Sequence, residues 1–398
     1  MLALSIARMA EAVGNSILFI LLPLYVAKLP SEHLPFSVPV LVGILISIYG
    51  FIASIVQPLM GALSDRMGSR KRMIQAGLVL MGGGTLFYIF ADQYLDLIVL
   101  RSLQGVGVAI TIPASMALMT AITKKGTRGG SMGVYSMLRM IGFASGPVIG
   151  GFLQTRFGFN TAFYAGSAFV FMGLIMVQIW VRDVRPDKNV IKERFHIFDR
   201  KLFRPGIIAA SLSTFVMATS FSMLTTLENE FNRRLAIDAF YFSIAFSSMM
   251  VSRIFLQIPL GRLADVFGRK PLIFGGLIVL GITTALTGEV TTLWQLVAIR
   301  MVQGFASAAI AAPALALVAD LSEVGGEGRQ MSVITTGFGL GIAVGPLLAG
   351  ILAVVFFELP FLVGGALSFI TALVVLRMMP ETNEGDRVLF KGSHSERD

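Results

Sequence analysis

The chain has no cysteine in its 398 residues, so disulfides, thiolate metal sites and cysteine nucleophiles are excluded, and the redox compartment leaves no trace. Histidine is nearly as scarce. His33, His196 and His394 all fall in loops or the tail, which removes imidazole as a proton carrier inside the apolar segments. Charge is thin too: Asp, Glu, Lys and Arg make up 14% of the chain, whereas a soluble domain carries about 25%. No Gly-x4-Gly-Lys-Ser/Thr loop occurs, so ATP is not the energy source. No Ser/His/Asp or two-carboxylate constellation gathers in one place. Nothing asks for an enzyme reading or for a cofactor.

Hydrophobic residues are abundant, at 55%. Apolar stretches recur along the whole chain, each with about the 20 residues that a helix needs to cross the bilayer core. They lie near 3–27, 38–63, 73–92, 95–120, 131–154, 160–181, 205–227, 236–261, 270–290, 293–319, 330–356 and 358–379. These runs are unbroken instead of alternating, which excludes a barrel and predicts an all-α membrane protein of twelve transmembrane helices. The first stretch is too long for a signal-peptide core and is expected to remain as an anchor.

The net charge of +9 invites a nucleic-acid reading, but the basic residues concentrate in alternate loops. One set holds Arg66, Arg70, Lys71 and Arg72, then Lys124, Lys125 and Arg128, then Arg262, Arg269 and Lys270, then Arg329, with Arg182 to Arg204 in the centre. The opposite loops offer Lys28, Arg156, Arg233 and Arg234. The imbalance predicts a multi-pass protein of the cell inner (cytoplasmic) membrane with both termini cytoplasmic. Membrane lipids, and not nucleic acid, are the expected surroundings.

The chain also repeats itself. Gly61-Ala-Leu-Ser-Asp65-Arg-Met-Gly68 recurs as Gly261-Arg-Leu-Ala-Asp265-Val-Phe-Gly268. Arg101-Ser-Leu-Gln104-Gly105 recurs as Arg300-Met-Val-Gln303-Gly304, and Gly142-x3-Gly146-Pro147 as Gly341-x3-Gly345-Pro346. Three pairs in one order mark a duplication. Six spans is an even number, so the two halves enter the membrane in the same sense as parallel repeats. We expect six-helix bundles at 1–181 and 205–379, a polar cytoplasmic linker at 182–204 and a cytoplasmic tail at 380–398.

On these paired motifs the chain resembles the major facilitator superfamily along essentially its whole length. That family's loop after the second span is matched by Gly61, Asp65, Arg66, Gly68, Arg70 and Lys71, with Ser69 in place of a usual basic residue. The fifth-span run Gly133-x8-Gly142-x3-Gly146-Pro147-x2-Gly150-Gly151 is similar to the antiporter signature, and Leu22-Pro23-Leu24-Tyr25 to the twelve-span drug:proton antiporter branch. The resemblance implies that Asp65 and its neighbours latch the cytoplasmic side, with Asp265 as counterpart. It also implies that Arg101 serves proton transfer. A charged turn that only enforces topology is the alternative reading of the loop. For the glycines, which let helices approach closely, ordinary packing overlaps with a pivot at Gly142, Gly146, Pro147 and Gly150.

Ionisable residues inside a bilayer cost about 2.5–3.5 kcal/mol each, so every one is a functional candidate. Arg8 and Glu11 lie in the first span, Arg101 in the fourth, Arg139 in the fifth, Arg253 in the eighth and Arg300 in the tenth. Glu11 is the one carboxylate well inside a span and is the proton-carrier candidate. Arg8, three residues away on the same face, could simply neutralise it as a structural pair. Arg101 cannot shuttle protons itself; its work is to bias a carboxylate or to hold a polar group. Arg300, without a full motif, reads as structural. Arg8, Asn15, Tyr49, Gln104, Tyr135, Arg139, Phe221 and Arg253 are the cavity candidates.

The resulting expectation is a secondary active transporter, a monomer, exporting small amphipathic compounds in exchange for protons. The excess of buried arginine keeps a second reading open, a carrier for an anionic metabolite, siderophore or lipid. A non-transporting scaffold or receptor is a third.

Overall fold

The computed structural model describes residues 1–29, 35–66, 69–123, 128–183, 204–321 and 327–380; within these, the side chains of residues 62, 65, 66, 128, 129, 327–330 and 332 are not described. Gly68, the side chains of Asp65 and Arg66, most of the expected linker and nearly all of the tail therefore lie outside the described residues.

The described chain is helical. The first half runs through α1 (Leu2–Val26), α2 (Val38–Arg66), α3 (Arg70–Phe87) with a 3-10 turn at Tyr88–Phe90, α4 (Tyr94–Ile122), α5 (Arg128–Phe157) and α6 (Phe159–Trp180). The second runs through α7 (Pro205–Thr226), α8 (Glu228–Leu235), α9 (Ala239–Phe267), α10 (Arg269–Thr287), α11 (Leu293–Leu321), α12 (Glu327–Leu352) and α13 (Leu359–Met378). Twelve of these helices are long and apolar enough to span a membrane, as expected. The extra one, α8, fills what the sequence predicts as a plain loop between the seventh and eighth spans.

Backbone hydrogen bonds explain the helices, because lipid offers no partner to an open N–H or C=O. Proline is tolerated inside them where neighbouring helices hold the break. Pro58, Pro113 and Pro147 in the first half have counterparts Pro259, Pro313 and Pro346 in the second. The duplication thus extends to the helix breaks. Gly268, which joins α9 to α10, has φ 94° and ψ 153°, a conformation that L side chains rarely adopt.

Within the first half α1 packs on α5 and α6, and α4 on α2 and α3; within the second, α7 packs on α12 and α13, and α11 on α9 and α10. Between halves, α5 meets α9 and α2 meets α12. The glycines set the closest crossings. A methyl at Gly142 or Gly146 would run into the α1 backbone at Met9 or Val13, and one at Gly341 or Gly345 into the α7 backbone at Phe215 or Thr219. Ser16 Oγ donates to the Gly142 carbonyl and Ser222 Oγ to the Gly341 carbonyl, each at 3.2 Å. Gly337, pressed on Ser211, extends the second seam, so close helix contact is built in both halves.

The apolar cores differ between the two ends of the molecule. At the end opposite the termini one cluster runs through both halves, joining Ile17, Leu41 and Phe163 to Phe221, Phe242 and Phe361. At the end with the termini each half has its own cluster, around Leu4, Met73 and Leu118 in one and Ile207, Leu277 and Leu317 in the other. One end is therefore sealed by a shared core.

Gly142→Leu and Gly341→Leu should destabilise the protein alike, by about 1–3 kcal/mol each from overpacking. Thermal melting in detergent checks this, and a large effect confined to Gly142 would contradict the matched seams.

Candidate functional site

The helices α1 and α7 are the most enclosed of the twelve, so polar residues on them must find partners inside the protein. On α1, Arg8, Glu11 and Asn15 follow one another at helical spacing and are all buried. Arg8 and Glu11 form an ion pair. Asn15 Nδ2 donates to the Tyr49 hydroxyl of α2 at 3.0 Å.

Tyr49 passes the network on, because the Arg101 guanidinium of α4 lies 4.1 Å from its ring centre. Arg101 is fully buried and donates to Gln104 Oε1 at 3.1 Å. That oxygen also accepts from the Tyr88 hydroxyl at 3.1 Å, while Gln104 Nε2 donates to Thr85 Oγ1 at 2.9 Å. The Gln104 amide is thus committed inside the first half, between α3 and α4.

The second half repeats this unit. Arg300 donates to Gln303 Oε1 at 2.8 Å, and Gln303 Nε2 donates to Thr287 Oγ1 at 3.1 Å. The aromatic partner differs: the Arg300 guanidinium faces the Phe221 and Phe246 rings at 5.7 and 5.5 Å. Arg101 and Arg300 each keep Nε and Nη2 without a hydrogen-bond partner. The repeat of the Arg-x2-Gln spacing, visible in the sequence, was the signal that Arg300 shares this setting.

Arg139 and Arg253 stand at the seam, on α5 and α9. The Arg139 guanidinium lies 5.4 Å from the Phe143 ring and within electrostatic reach of Arg8, Glu11, Tyr135 and Tyr49. Arg253 is within electrostatic reach of Arg139, and its Nε has no hydrogen-bond partner. Arg8, Glu11, Tyr49, Tyr135, Arg139 and Arg253 therefore converge on one region, with three guanidinium groups against one carboxylate. Phe221 lies apart in the shared apolar core, its ring tilted against Phe246 with centroids 5.2 Å apart.

At the end with the termini, Arg269 pairs with Asp265 at 3.7 Å and with Asp320 of α11, tying α9, α10 and α11 together. In the first half Arg70 donates to the Ala117 carbonyl of α4 at 3.2 Å, and Gly61 approaches Pro113 of α4. Asp320 was not singled out in the sequence, because it falls at a span end among other charges. Glu228, a fully buried carboxylate on α8, was missed as well, since it follows directly on an apolar span and reads as loop.

Gln104→Leu and Gln303→Leu each strip a buried guanidinium of its acceptor, which costs about 1–3 kcal/mol. Both variants should melt lower by similar amounts in detergent, and an unchanged Tm in either would show that its arginine is held by the rings alone.

The model of the Major Facilitator Superfamily matches residues 4–233 and 207–394. An uncharacterized MFS-type transporter of Bacillus subtilis, YuxJ, is 26% identical over 325 residues, covering 78% of this chain and 81% of its own. The multi-drug resistance efflux pump PmrA of Streptococcus pneumoniae is 27% identical over 316 residues, covering 77% of each chain. Among solved structures, a bacterial homolog of the human lysosomal transporter Spinster, in an inward-facing and occupied conformation, superposes with a TM-score of 0.80 at 13% identity over 95% of both chains. The family model spans both helical halves, the fold agrees throughout, and the chain belongs to the major facilitator superfamily of transporters.

Proposed function

We propose that the chain is a proton-coupled antiporter that exports small amphipathic compounds by alternating access. The observation that carries this reading is the setting of Glu11. Among the described residues it is the carboxylate deep in a spanning helix, paired with Arg8 and ringed by Tyr49, Tyr135 and Arg139. Protonation there would release Arg8 and change the charge of the central region by one unit, which is what coupling needs. Arg101 biases this region through Tyr49 and Asn15 without exchanging a proton. The drug-efflux names of relatives such as PmrA support an amphipathic cargo. The 21 methionines and 31 phenylalanines support adaptable apolar contact with it.

The basic loops support cytoplasmic termini, and in this reading the protein is a monomer of the inner membrane. The sealed end then faces outward, and the described conformation faces inward. In this reading the 1–181 and 205–379 bundles rock about the seams, and Asp65 and Asp265 with their loops latch the cytoplasmic side when it closes.

Arg139 and Arg253 favour a second reading, in which the cargo carries an anionic group bridged between the two halves. The two readings predict opposite signs. A cargo that competes with the proton for Glu11 binds more weakly as pH falls, as antiport requires. An anion that gains from the release of Arg8 binds more tightly as pH falls, which is the sign of cotransport.

In reconstituted vesicles with an imposed pH gradient, Glu11→Gln should abolish gradient-driven dye efflux while substrate exchange without a gradient survives; retained gradient dependence removes Glu11 from the coupling role. Arg139→Gln and Arg253→Gln should each raise the Kd of an anionic cargo about tenfold and leave a neutral one unchanged, the loss of about 1.4 kcal/mol. Equal effects on both cargoes would reject the anion reading.

A further inference from the structure

At the sealed end, α8 touches α7 and α9 of its own half and α1 of the other. Asn229 Nδ2 donates across the halves to the Pro23 carbonyl at 2.8 Å. Phe231 packs on the Phe242, Phe357 and Phe361 rings with centroids 5.0 to 6.1 Å away. Between these contacts sits Glu228, with a relative exposure of 0%. Neither of its carboxylate oxygens has a hydrogen-bond partner, and Asn232, its polar neighbour one turn on, makes no bond of normal geometry to it.

The charged groups around it are few among the described residues. α7 contains no ionisable residue, and α1 from Ala12 to Val26 contains only Tyr25, whose hydroxyl points at the Tyr88 and Ala91 carbonyls. α9 brings Asp238, which caps its own helix on Tyr241 N, and Tyr241 itself. On α8, Arg233 and Arg234 lie within electrostatic reach of Glu230, and Arg234 pairs with Glu358 at the start of α13 at 2.7 Å. No compensating cation is placed on Glu228 among the described residues, and burial pushes its carboxyl well above the usual range.

The repeat identifies what is unusual here. Ser16 and Ser222 make the same bond to Gly142 and Gly341, so they are matched positions. Six residues on from each stand Leu22, fully buried, and Glu228. One further on are Pro23 and Asn229, which bond each other. The seal is therefore closed by matched residues of the two halves, and where one half puts leucine the other puts a carboxylate.

We propose that Glu228 is a proton-binding site of the outer seal, neutral while the halves are closed over it and ionised when they part and water enters. The proposal rests on alternating access but is independent of coupling through Glu11. Closed and dry, the site favours the protonated form; open and hydrated, it returns to ordinary glutamate behaviour. The closed seal is thus fully favoured below the ordinary carboxylate range and loses that advantage as pH rises toward the raised value. In that window one proton changes the open-to-closed ratio about tenfold per pH unit.

The lack of native cysteine makes the test direct. Spin labels at Phe36→Cys and Val355→Cys, both exposed at the sealed end of opposite halves, report seal opening in the reconstituted full chain. Between about pH 5 and about pH 9 the long-distance population should grow in the wild-type background. Glu228→Gln should keep the short distance at every pH. Glu228→Leu, which installs the residue of the matched site, should do the same and shows that loss of response is not loss of fold. Glu11→Gln should retain the response. A pH response that survives Glu228→Gln or Glu228→Leu, or that is absent from the wild type, overturns the assignment, as does its loss in Glu11→Gln. Labels at Trp180→Cys and Phe267→Cys watch the other end. Movement there without movement at the seal rejects the Glu228 site alone, whereas no movement at either end rejects alternating access and the site with it.

Discussion

A guanidinium inside a bilayer has to draw its compensation from the protein, because hydrocarbon supplies neither dipole nor counter-ion. Much of the arrangement follows from how this chain meets that demand. Arg8 takes a carboxylate, Glu11. Arg101 takes an amide and a tyrosine ring, and Arg300 takes an amide and two phenylalanine rings. The Arg101 and Arg300 solutions each draw partners from several helices of one half, whereas Arg8 and Glu11 share α1. The Arg101 network alone reaches α1, α2, α3 and α4, so disturbing any of these helices exposes a charge to lipid. Such networks bind a half into one body, whereas Arg139, on a helix that meets the other half, lies beside the Phe143 ring and within electrostatic reach of Arg8, Glu11 and, across the halves, Arg253.

The duplicated halves keep the same skeleton and spend their polar residues differently. Prolines, seam glycines, the Ser16 and Ser222 bonds and the Arg-x2-Gln units all recur. The divergence includes side chains facing the centre and the seal. Asn15 on α1 is matched by Phe221 on α7, Leu22 by Glu228, and Tyr25 by Phe231. Helix crossings are intolerant of change because a single methyl meets backbone there, whereas a side chain facing the space between halves can be exchanged without moving a helix. Asymmetric chemistry on a symmetric frame is the expected outcome.

Much of this was legible in the sequence for a physical reason. Twelve apolar runs and an offset repeat are properties of segments, and segments survive without knowledge of contacts. The spacing of Arg8 and Glu11 on one face allowed a pair without deciding it, and the structure forms it. What stayed hidden depends on which way a side chain faces. Gln104 reads as a cavity residue but spends its amide inside the first half. Arg300 reads as a lesser copy of Arg101, yet its hydrogen bonds are the same. Glu228 reads as loop because a carboxylate just past an apolar run is usually hydrated; only the packing of α8 beneath the shared core reveals that water is excluded.

The seal itself explains why so few polar groups can govern it. Its contacts are mainly rings and aliphatic side chains, such as Phe19 on Phe246 and Phe152 on Phe240, with the Asn229 to Pro23 bond as a polar contact across the halves. Apolar contacts are non-directional, so parting them costs area and leaves few hydrogen bonds unmade. Against that background a single buried carboxylate weighs heavily, because ionising it in place costs far more than exchanging any one apolar contact. The balance of a seal with many small apolar terms and one large electrostatic term is set by the electrostatic one. A leucine at Glu228, as at Leu22, would strip the seal of its fully buried carboxylate.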